Sequence, residues 1–254
     1  MVRVPVASWF PEQDSPAVRW RGNPWWLFAY AVSAALLLFG WWGDGPMRPF
    51  WDHLDRLAFD GLNGSMADRP GIRLFWAITN SRYFDLVTGS VVLACYGMYL
   101  FADGRRRLVG RFLLGGGMAV FVAIWMQGVM KTLIDYGRVS PTLVLPDAVR
   151  IGQEFDFIPL VKDLSRDSFP GDHFGMTLMI ALILCHVAGA RVGACMLLVA
   201  ALSVFPRVAG GAHWLTDQLV GGGFAGFTGA TCFLLPVWWW SRQASRTSRS
   251  GENA

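Results

Sequence analysis

The residues best suited to chemistry lie close together between Pro206 and Asp217. Arg207 precedes His213 by six positions, and Asp217 follows His213 by four, which is about one helical turn. If a helix begins near Ala212, the carboxylate can hold the imidazole in one tautomer. A histidine held in this way acts as a nucleophile or a base, and the arginine supplies a cation for an anionic group. A buried ion-pair cluster would use the same residue types, so this spacing alone leaves both interpretations open.

A second cluster runs from Ser165 to His173. Pro170 and Gly171 predict a tight turn, and the helix that follows would offer free backbone N–H groups and its positive dipole end to an anion. His173 stands at that helix start, where it can donate a proton to a leaving oxygen. The alternative is a simple helix cap, because Asp172 is a good capping residue.

A third cluster contains Lys131 and Arg138, which are seven residues apart. Two helical turns separate them, so they are expected to share a face and hold one anion from two directions; an interfacial anchor is the alternative. Together the clusters supply two histidines, an orienting aspartate and three cations, which suffice for metal-free phosphoryl transfer. Zinc on the histidines and Asp172 or Asp217 is disfavoured, because three Lys/Arg side chains would repel it. We expect neither metal nor cofactor.

The composition indicates how these clusters are positioned. Apolar residues make up 54% of the 254-residue chain and charged residues only 16%, against about 25% in soluble domains. Long apolar blocks separate the charges, which predicts an all-α membrane protein. The net charge of +4 without a Lys/Arg-rich tract gives no support to a nucleic-acid partner. All four cysteines fall in apolar segments, where they are expected to be buried hydrophobes and not disulfides or metal ligands.

Six apolar segments predict six membrane-spanning helices. They cover residues 25–42, 84–101, 108–130, 173–187, 194–205 and 215–240. The predicted organisation is an N-terminal tail (1–24) without a cleavable signal peptide, a six-helix transmembrane catalytic domain (25–240) and a C-terminal tail (241–254). The dense Arg105–Arg107 cluster after the second span places both tails in the cytoplasm. All three polar clusters then fall on the opposite, outer side, which favours a functional site because ionisable residues at a membrane are costly.

The first outer loop, residues 43–83, contains a segment with helical periodicity. Phe50, Leu54 and Leu57 fall on one face and charged groups on the other, which predicts an amphipathic helix in the membrane interface. A helix packed across the mouth of the bundle is the alternative. His53 lies on the polar side and is expected to be a solvated surface residue.

At the three clusters the chain resembles the type 2 phosphatidic acid phosphatase (PAP2) superfamily. The matching motifs are Lys131-x6-Arg138, Pro170-Gly171-Asp172-His173 and Arg207-x5-His213-x3-Asp217. The resemblance implies a PAP2-type bundle in which His213 is the nucleophile, Asp217 orients it, His173 is the acid and base, and three cations bind the phosphoryl oxygens. The second motif usually reads Pro-Ser-Gly-His, so Gly171 and Asp172 are departures. Phosphate binding there is left to backbone N–H groups or to Ser168.

Residues 75–221 also resemble the Kdo2-lipid A phosphotransferase branch, the lipid A 1-diphosphate synthases of Gram-negative inner membranes, in which the Asp172 variant is usual. The similar stretches are 79–85, 138–143, 165–173 and 205–221. This resemblance implies phosphate transfer from undecaprenyl diphosphate to the 1-phosphate of lipid A (Kdo2-lipid A) on the periplasmic face of the bilayer, through a phosphohistidine. Arg166 or Arg82 is expected to hold a lipid phosphate outside the central site, with a loop-anchoring ion pair as the alternative.

Two other functions remain open from the residues alone. A lipid phosphatase would share every catalytic group and use water as the acceptor. A non-enzymatic anionic-lipid binder or transporter is disfavoured by the complete set of catalytic residue types, and no broken, pseudo-symmetric spans are evident. The motifs do not separate water from a lipid phosphate, so the choice of acceptor depends on the resemblance.

Overall fold

Every regular element in the described part of the chain is a helix, as predicted. The computed structural model describes residues 20–41, 45–102, 107–134 and 136–251, and within them the only strand-like pairing is one antiparallel bridge between Ser81 and Val161. The predicted tails lie partly outside these residues, and so do two arginines of the Arg105–Arg107 cluster.

The helices differ widely in length and are numbered in chain order. They are α1 (Trp25–Trp41), α2 (Arg48–Asn63), α3 (Pro70–Thr79), α4 (Arg82–Phe101), α5 (Leu108–Ile124), α6 (Lys131–Leu133), α7 (Pro141–Val144), α8 (Ile151–Glu154), α9 (Asp172–Val187), α10 (Ala190–Ala209) and α11 (Gly223–Gly251). A 3₁₀ turn at Gly64–Met66 follows α2. A π-helical turn at Trp125–Met130 joins α5 to α6, and a second one at Asp217–Gly222 leads into α11.

Four helical segments are long and apolar enough to cross a membrane. They are Arg82–Phe101, Leu108–Leu133, Ala190–Ala209 and Asp217–Gln243. The helices α1 and α9 are apolar but only 17 and 16 residues long, whereas a 30 Å hydrocarbon core needs about 20 residues. The prediction of six spans is therefore supported by length and composition for four of them. On α4 and α5, large side chains such as Leu93 (72% exposed) and Phe112 (68%) face outward, as expected of helices that contact lipid.

The short helix α9 lies at the centre, packed against α10 and α11. Its apolar side chains are buried on all sides, which is typical of a helix surrounded by other helices. Close approach to the π-helical turn before α11 requires glycine, because a Cβ at Gly222 would lie 2.7 Å from the carbonyl oxygen of Gly171. This contact sets the start of α9 beside Asp217.

The helix α2 covers the segment predicted to be amphipathic, but its inward face is mainly polar. Asp55, Phe59 and Asn63 are buried, whereas Phe50 is 50% and Leu57 61% exposed. The Asn63 amide donates to the carbonyl oxygen of Ala209 at 2.9 Å, which fixes α2 against the end of α10. These contacts agree with the alternative interpretation, in which α2 packs across the mouth of the bundle. Its location in the membrane interface remains a prediction. His53 is exposed, as expected.

Candidate active site

His213 lies in the turn between α10 and Leu215, where helical structure resumes. Its backbone N–H donates to the carbonyl oxygen of Arg207 at 3.3 Å, and its Nδ1 lies 2.7 Å from the carbonyl oxygen of Ser168. Because a carbonyl oxygen only accepts, Nδ1 carries the ring proton and Nε2 keeps its lone pair. Within the described residues, Nε2 is buried and has no hydrogen-bond partner. The ring is therefore held in the tautomer in which Nε2 could act as a nucleophile or a base.

The surroundings of His213 also keep the imidazole neutral. The residue is 2% exposed. Burial, followed by the positive charge of Lys162, lowers the pKa of His213 to about 3. The ring is therefore unprotonated at neutral pH, which is the form that a nucleophile requires.

A cavity of about 260 Å³ opens beside His213. Its wall includes the only two lysines of the sequence, Lys131 and Lys162, and the carboxylates of Asp167 and Asp172. Lys131 was predicted from the sequence, whereas Lys162 was not. The two ammonium groups can bind phosphoryl oxygens beside the neutral His213, although the two carboxylates on the same wall offset their charge.

Arg138 lies outside this cavity, between two carboxylates. Its Nη1 donates to Asp217 Oδ1 and its Nη2 to Asp55 Oδ2, both at 2.7 Å, and its side chain is only 12% exposed. Although burial opposes the charge, Asp217 and Asp55 raise the pKa of Arg138. The predicted helical face shared with Lys131 is wrong, because α6 ends at Leu133 and the chain leaves the helix before Arg138. Arg138 thus anchors the scaffold of the site.

Asp217 is fully buried and does not hydrogen-bond to His213. Its Oδ2 lies 3.9 Å from His213 Nδ1 and accepts the Trp214 N–H at 2.7 Å instead. The predicted direct pairing is wrong, because the helix begins at Leu215 and not near Ala212. The carbonyl oxygen of Ser168 orients the His213 ring instead. Asp217 stabilises the turn that contains His213 and Trp214 by accepting the Trp214 N–H.

His173 lies in the first turn of α9 between two carboxylates. Its Nδ1 is 2.7 Å from Asp172 Oδ1, and its Nε2 is 3.3 Å from Asp85 Oδ2. Arg207 donates to Asp85 through Nη2, which also lies 2.9 Å from His173 Nε2. Nδ1 faces only a carboxylate and therefore carries an N–H. Nε2 lies between the Asp85 carboxylate, which only accepts, and the Arg207 guanidinium, which only donates, so it can either carry a proton or give it up, and this suits a group that passes a proton on.

A second cavity, of about 220 Å³, opens beside His173 between α4, α9 and α10. His173, Arg207 and Asp85 line one part of it. The rest of its wall is mainly apolar and includes Val87, Val91, Val199 and Leu202. Because Asp172 lines the first cavity and His173 the second, two consecutive residues of α9 separate the two spaces.

Comparison with known proteins places the chain in a family. The model of the PAP2 superfamily matches residues 111–242, which include all three motifs. Lipid A 1-diphosphate synthase of Escherichia coli (strain K12) is 33% identical over 189 residues, covering 73% of this chain and 77% of that protein. The chain belongs to the PAP2 superfamily. No solved structure matches it significantly.

The donors expected at the second PAP2 motif are used within the protein. The Ser168 hydroxyl is fully buried and donates to the carbonyl oxygen of Arg138 at 2.9 Å. The Gly171 N–H donates to the carbonyl oxygen of Asp217 at 2.7 Å, and the His173 N–H to Asp172 Oδ1 at 2.8 Å. These three donors are therefore engaged within the protein, and phosphate binding at this motif remains a prediction. Asp172 begins α9, and Gly171 occupies the cap position.

The two arginines expected to contact lipid phosphates lie apart from the PAP2 site. Arg82 begins α4 and Arg166 lies in the loop before α9; both are exposed and line neither cavity. Their roles remain predictions.

Three charged residues of the site were not predicted. Asp85 had a signal, since it is an acidic residue inside an apolar span. Lys162 and Asp55 stand outside the PAP2 motifs in segments that look like solvated loop and helix surface. No group of three or more His, Cys, Asp or Glu side chains able to hold a metal ion occurs among the described residues.

Proposed function

We propose that this PAP2 protein is a metal-independent lipid phosphotransferase that moves the terminal phosphate of undecaprenyl diphosphate to the 1-phosphate of lipid A. The observation that carries the proposal is His213, whose Nε2 is deprotonated and unpartnered among the described residues, and which lines a cavity with two lysines. The similarity to the lipid A 1-diphosphate synthase of Escherichia coli supports lipid A 1-diphosphate as the product.

In the first half of the reaction, His213 Nε2 attacks the terminal phosphorus of the donor. An N–P bond forms, the bond from phosphorus to the bridging oxygen breaks, and the lipid monophosphate departs. Lys131 balances charge on the equatorial oxygens. His173, held by Asp172, supplies a proton to the departing group where one is needed.

In the second half, a phosphate oxygen of the acceptor attacks the phosphohistidine and His213 is released. A lipid acceptor is favoured over water by the second cavity, which combines Arg207 and His173 with apolar walls. A water molecule needs no apolar groove, whereas a phosphorylated lipid needs a place for both its headgroup and its chains. Hydrolysis by water remains the second candidate function, because it would use the same groups.

We also propose that the six apolar helices all span the bacterial inner membrane, with the termini in the cytoplasm and the site at the periplasmic face. The contacts of α2 with the turn after α10, through Asp55 and Thr216, and of the loop at Ser168 with His213 support this arrangement. They show that segments from separate loops meet at one end of the bundle.

The test uses purified protein in lipid nanodiscs with undecaprenyl diphosphate, with and without Kdo2-lipid A. Acceptor-dependent formation of lipid A 1-diphosphate supports the transferase, whereas release of inorganic phosphate alone supports the phosphatase. His213→Ala should abolish both reactions, while an unchanged size-exclusion elution profile shows that the variant is folded. His53→Ala, which removes an exposed histidine, should retain full activity. Activity in the His213→Ala protein would rule out the phosphohistidine.

A further inference from the structure

Lys162 is held at the active site by its backbone. Its N–H donates to the carbonyl oxygen of Asn80 at 3.1 Å, and the preceding residue, Val161, forms the bridge with Ser81. These contacts tie the loop to the start of α4. The half-buried side chain then lines the His213 cavity.

The four nearby cations of the site are not equivalent. Arg138 is neutralised by Asp55 and Asp217, and Arg207 is paired with Asp85. For Lys131 and Lys162, by contrast, no carboxylate lies within ion-pair distance among the described residues. These two ammonium groups are therefore available to bind an anion in this cavity, whose wall also carries the carboxylates of Asp167 and Asp172.

The location of Lys162 relative to the nucleophile points the same way. Its charge acts on both His213 and Asp172, which lie on the wall of the same cavity. A cation at this point stabilises negative charge close to the phosphorus that His213 attacks, and it helps to keep the imidazole unprotonated.

The chemistry of the leaving group decides what a second lysine contributes. When Nε2 attacks a lipid diphosphate, the bridging oxygen keeps the electron pair of the broken P–O bond and leaves on a phosphomonoester. The second pKa of such a group is roughly 6, so at neutral pH it departs as an anion and benefits from a cation. A lipid monophosphate would instead release an alkoxide, which requires a proton from an acid such as His173.

We propose that Lys162 makes the enzyme specific for lipid diphosphate donors. Its ammonium group binds the second phosphate, which a lipid monophosphate lacks. The proposal rests on the function proposed above and assigns the donor class to the paired lysines, Lys131 and Lys162. In this assignment Lys131 contacts one phosphate and Lys162 the adjacent one, each through a charge-assisted hydrogen bond.

The first test measures binding without turnover. Inorganic pyrophosphate and inorganic phosphate are titrated into the purified full-length protein, and the shift in melting temperature gives each affinity. Lys162→Met should weaken pyrophosphate binding roughly 10- to 100-fold, the range for one lost charge-assisted hydrogen bond, and phosphate binding less than threefold. Lys162→Arg should restore most of the pyrophosphate affinity, and Arg69→Met, which removes an exposed cation, should change neither.

The second test compares farnesyl diphosphate with farnesyl phosphate as donors in single-turnover phosphorylation of the enzyme. Lys162→Met should slow the diphosphate reaction in the same proportion as it weakens pyrophosphate binding, and leave the monophosphate reaction within threefold. Equal losses for both ligand classes, or no loss for either, would overturn the proposal. A wild-type protein that cleaves no lipid diphosphate would refute the proposed function, while the pyrophosphate titration would still decide the role of Lys162.

Discussion

Replacing Asp55 by Asn should loosen the buried Arg138 at the base of the active site. Asp55 is 1% exposed and accepts from Arg138 Nη2 at 2.7 Å, from the Thr216 N–H at 2.8 Å and from the Thr216 hydroxyl at 2.6 Å. The amide of Asn keeps one oxygen for the Thr216 N–H but turns an NH₂ group toward the guanidinium, so the hydrogen bond from Arg138 is lost and the Thr216 hydroxyl can no longer donate at this position. Since Asp217 still balances the charge, we expect a loss of about 3 kcal/mol, at the lower end of the range for a broken buried ion pair.

The control is Asp52→Asn on the same helix. The Asp52 side chain is 49% exposed, pairs with Arg48 at 2.9 Å and lies 4.0 Å from Arg138, so its loss should cost about 0.5 kcal/mol or less. Both variants are compared by thermal unfolding in the same detergent, where about 3 kcal/mol corresponds to a drop of roughly 6–12 °C. Equal melting temperatures for the two variants would refute the view that Asp55 anchors Arg138.

Three further predictions concern the buried groups. The pKa of His213 is lowered from 6.5 to about 3, so below pH 6.5 the unfolded chain binds a proton there that the folded protein does not. The free energy of unfolding should therefore be unaffected by His213 above pH 6.5 and fall by up to about 1.4 kcal/mol per pH unit between pH 6.5 and 3. His213→Gln should lack this slope when unfolding is measured over the same pH range. Gln218→Met should raise the free energy of unfolding by about 1 kcal/mol, because the amide nitrogen and oxygen of Gln218 are both buried without a partner among the described residues. A melting temperature below that of the wild-type protein would contradict this. Gly171→Ala should lower the free energy of unfolding by about 2 kcal/mol and reduce phosphate transfer, because its Cβ would lie 2.6 Å from the Gln218 side chain and 2.8 Å from the Asp217 carbonyl oxygen. The control is Gly61→Ala, whose Cβ would meet no atom within 4 Å and which should change neither unfolding nor transfer.

The sequence predicted the helical class and the meeting of the three polar clusters, because both follow from strong signals. Apolar segments are long, and charged residues beside them are rare enough to stand out. The partners of individual side chains were less predictable. The spacing of His213 and Asp217 suggested a direct pair, but one turn of separation brings side chains together only inside a helix, and the helix begins at Leu215. Ser168 orients His213 through a backbone carbonyl, which no side-chain pattern reveals.

The residues missed by sequence reasoning come from distant parts of the chain. Asp55 reaches Thr216 across 161 positions, and its helix has a partly polar inner face that a search for apolar periodicity assigns to solvent. Lys162 lies in a loop that is tied by backbone hydrogen bonds and one bridge to the residues around the start of α4. Only the folded chain brings these charges to the site, so local spacing contains no information about them.

Each π-helical turn holds one residue more than an α-helical turn would, and each adjoins a residue of the site. Lys131 directly follows Trp125–Met130, and Asp217–Gly222 begins at Asp217. A helix that gains one residue keeps its register on one side of the insertion and rotates by about 100° on the other. Removing one residue from Trp125–Met130 would therefore turn Lys131 out of the cavity and leave the lipid-facing side of α5 unchanged. One additional residue thus distinguishes a regular spanning helix from one whose last turn brings a lysine to the cavity.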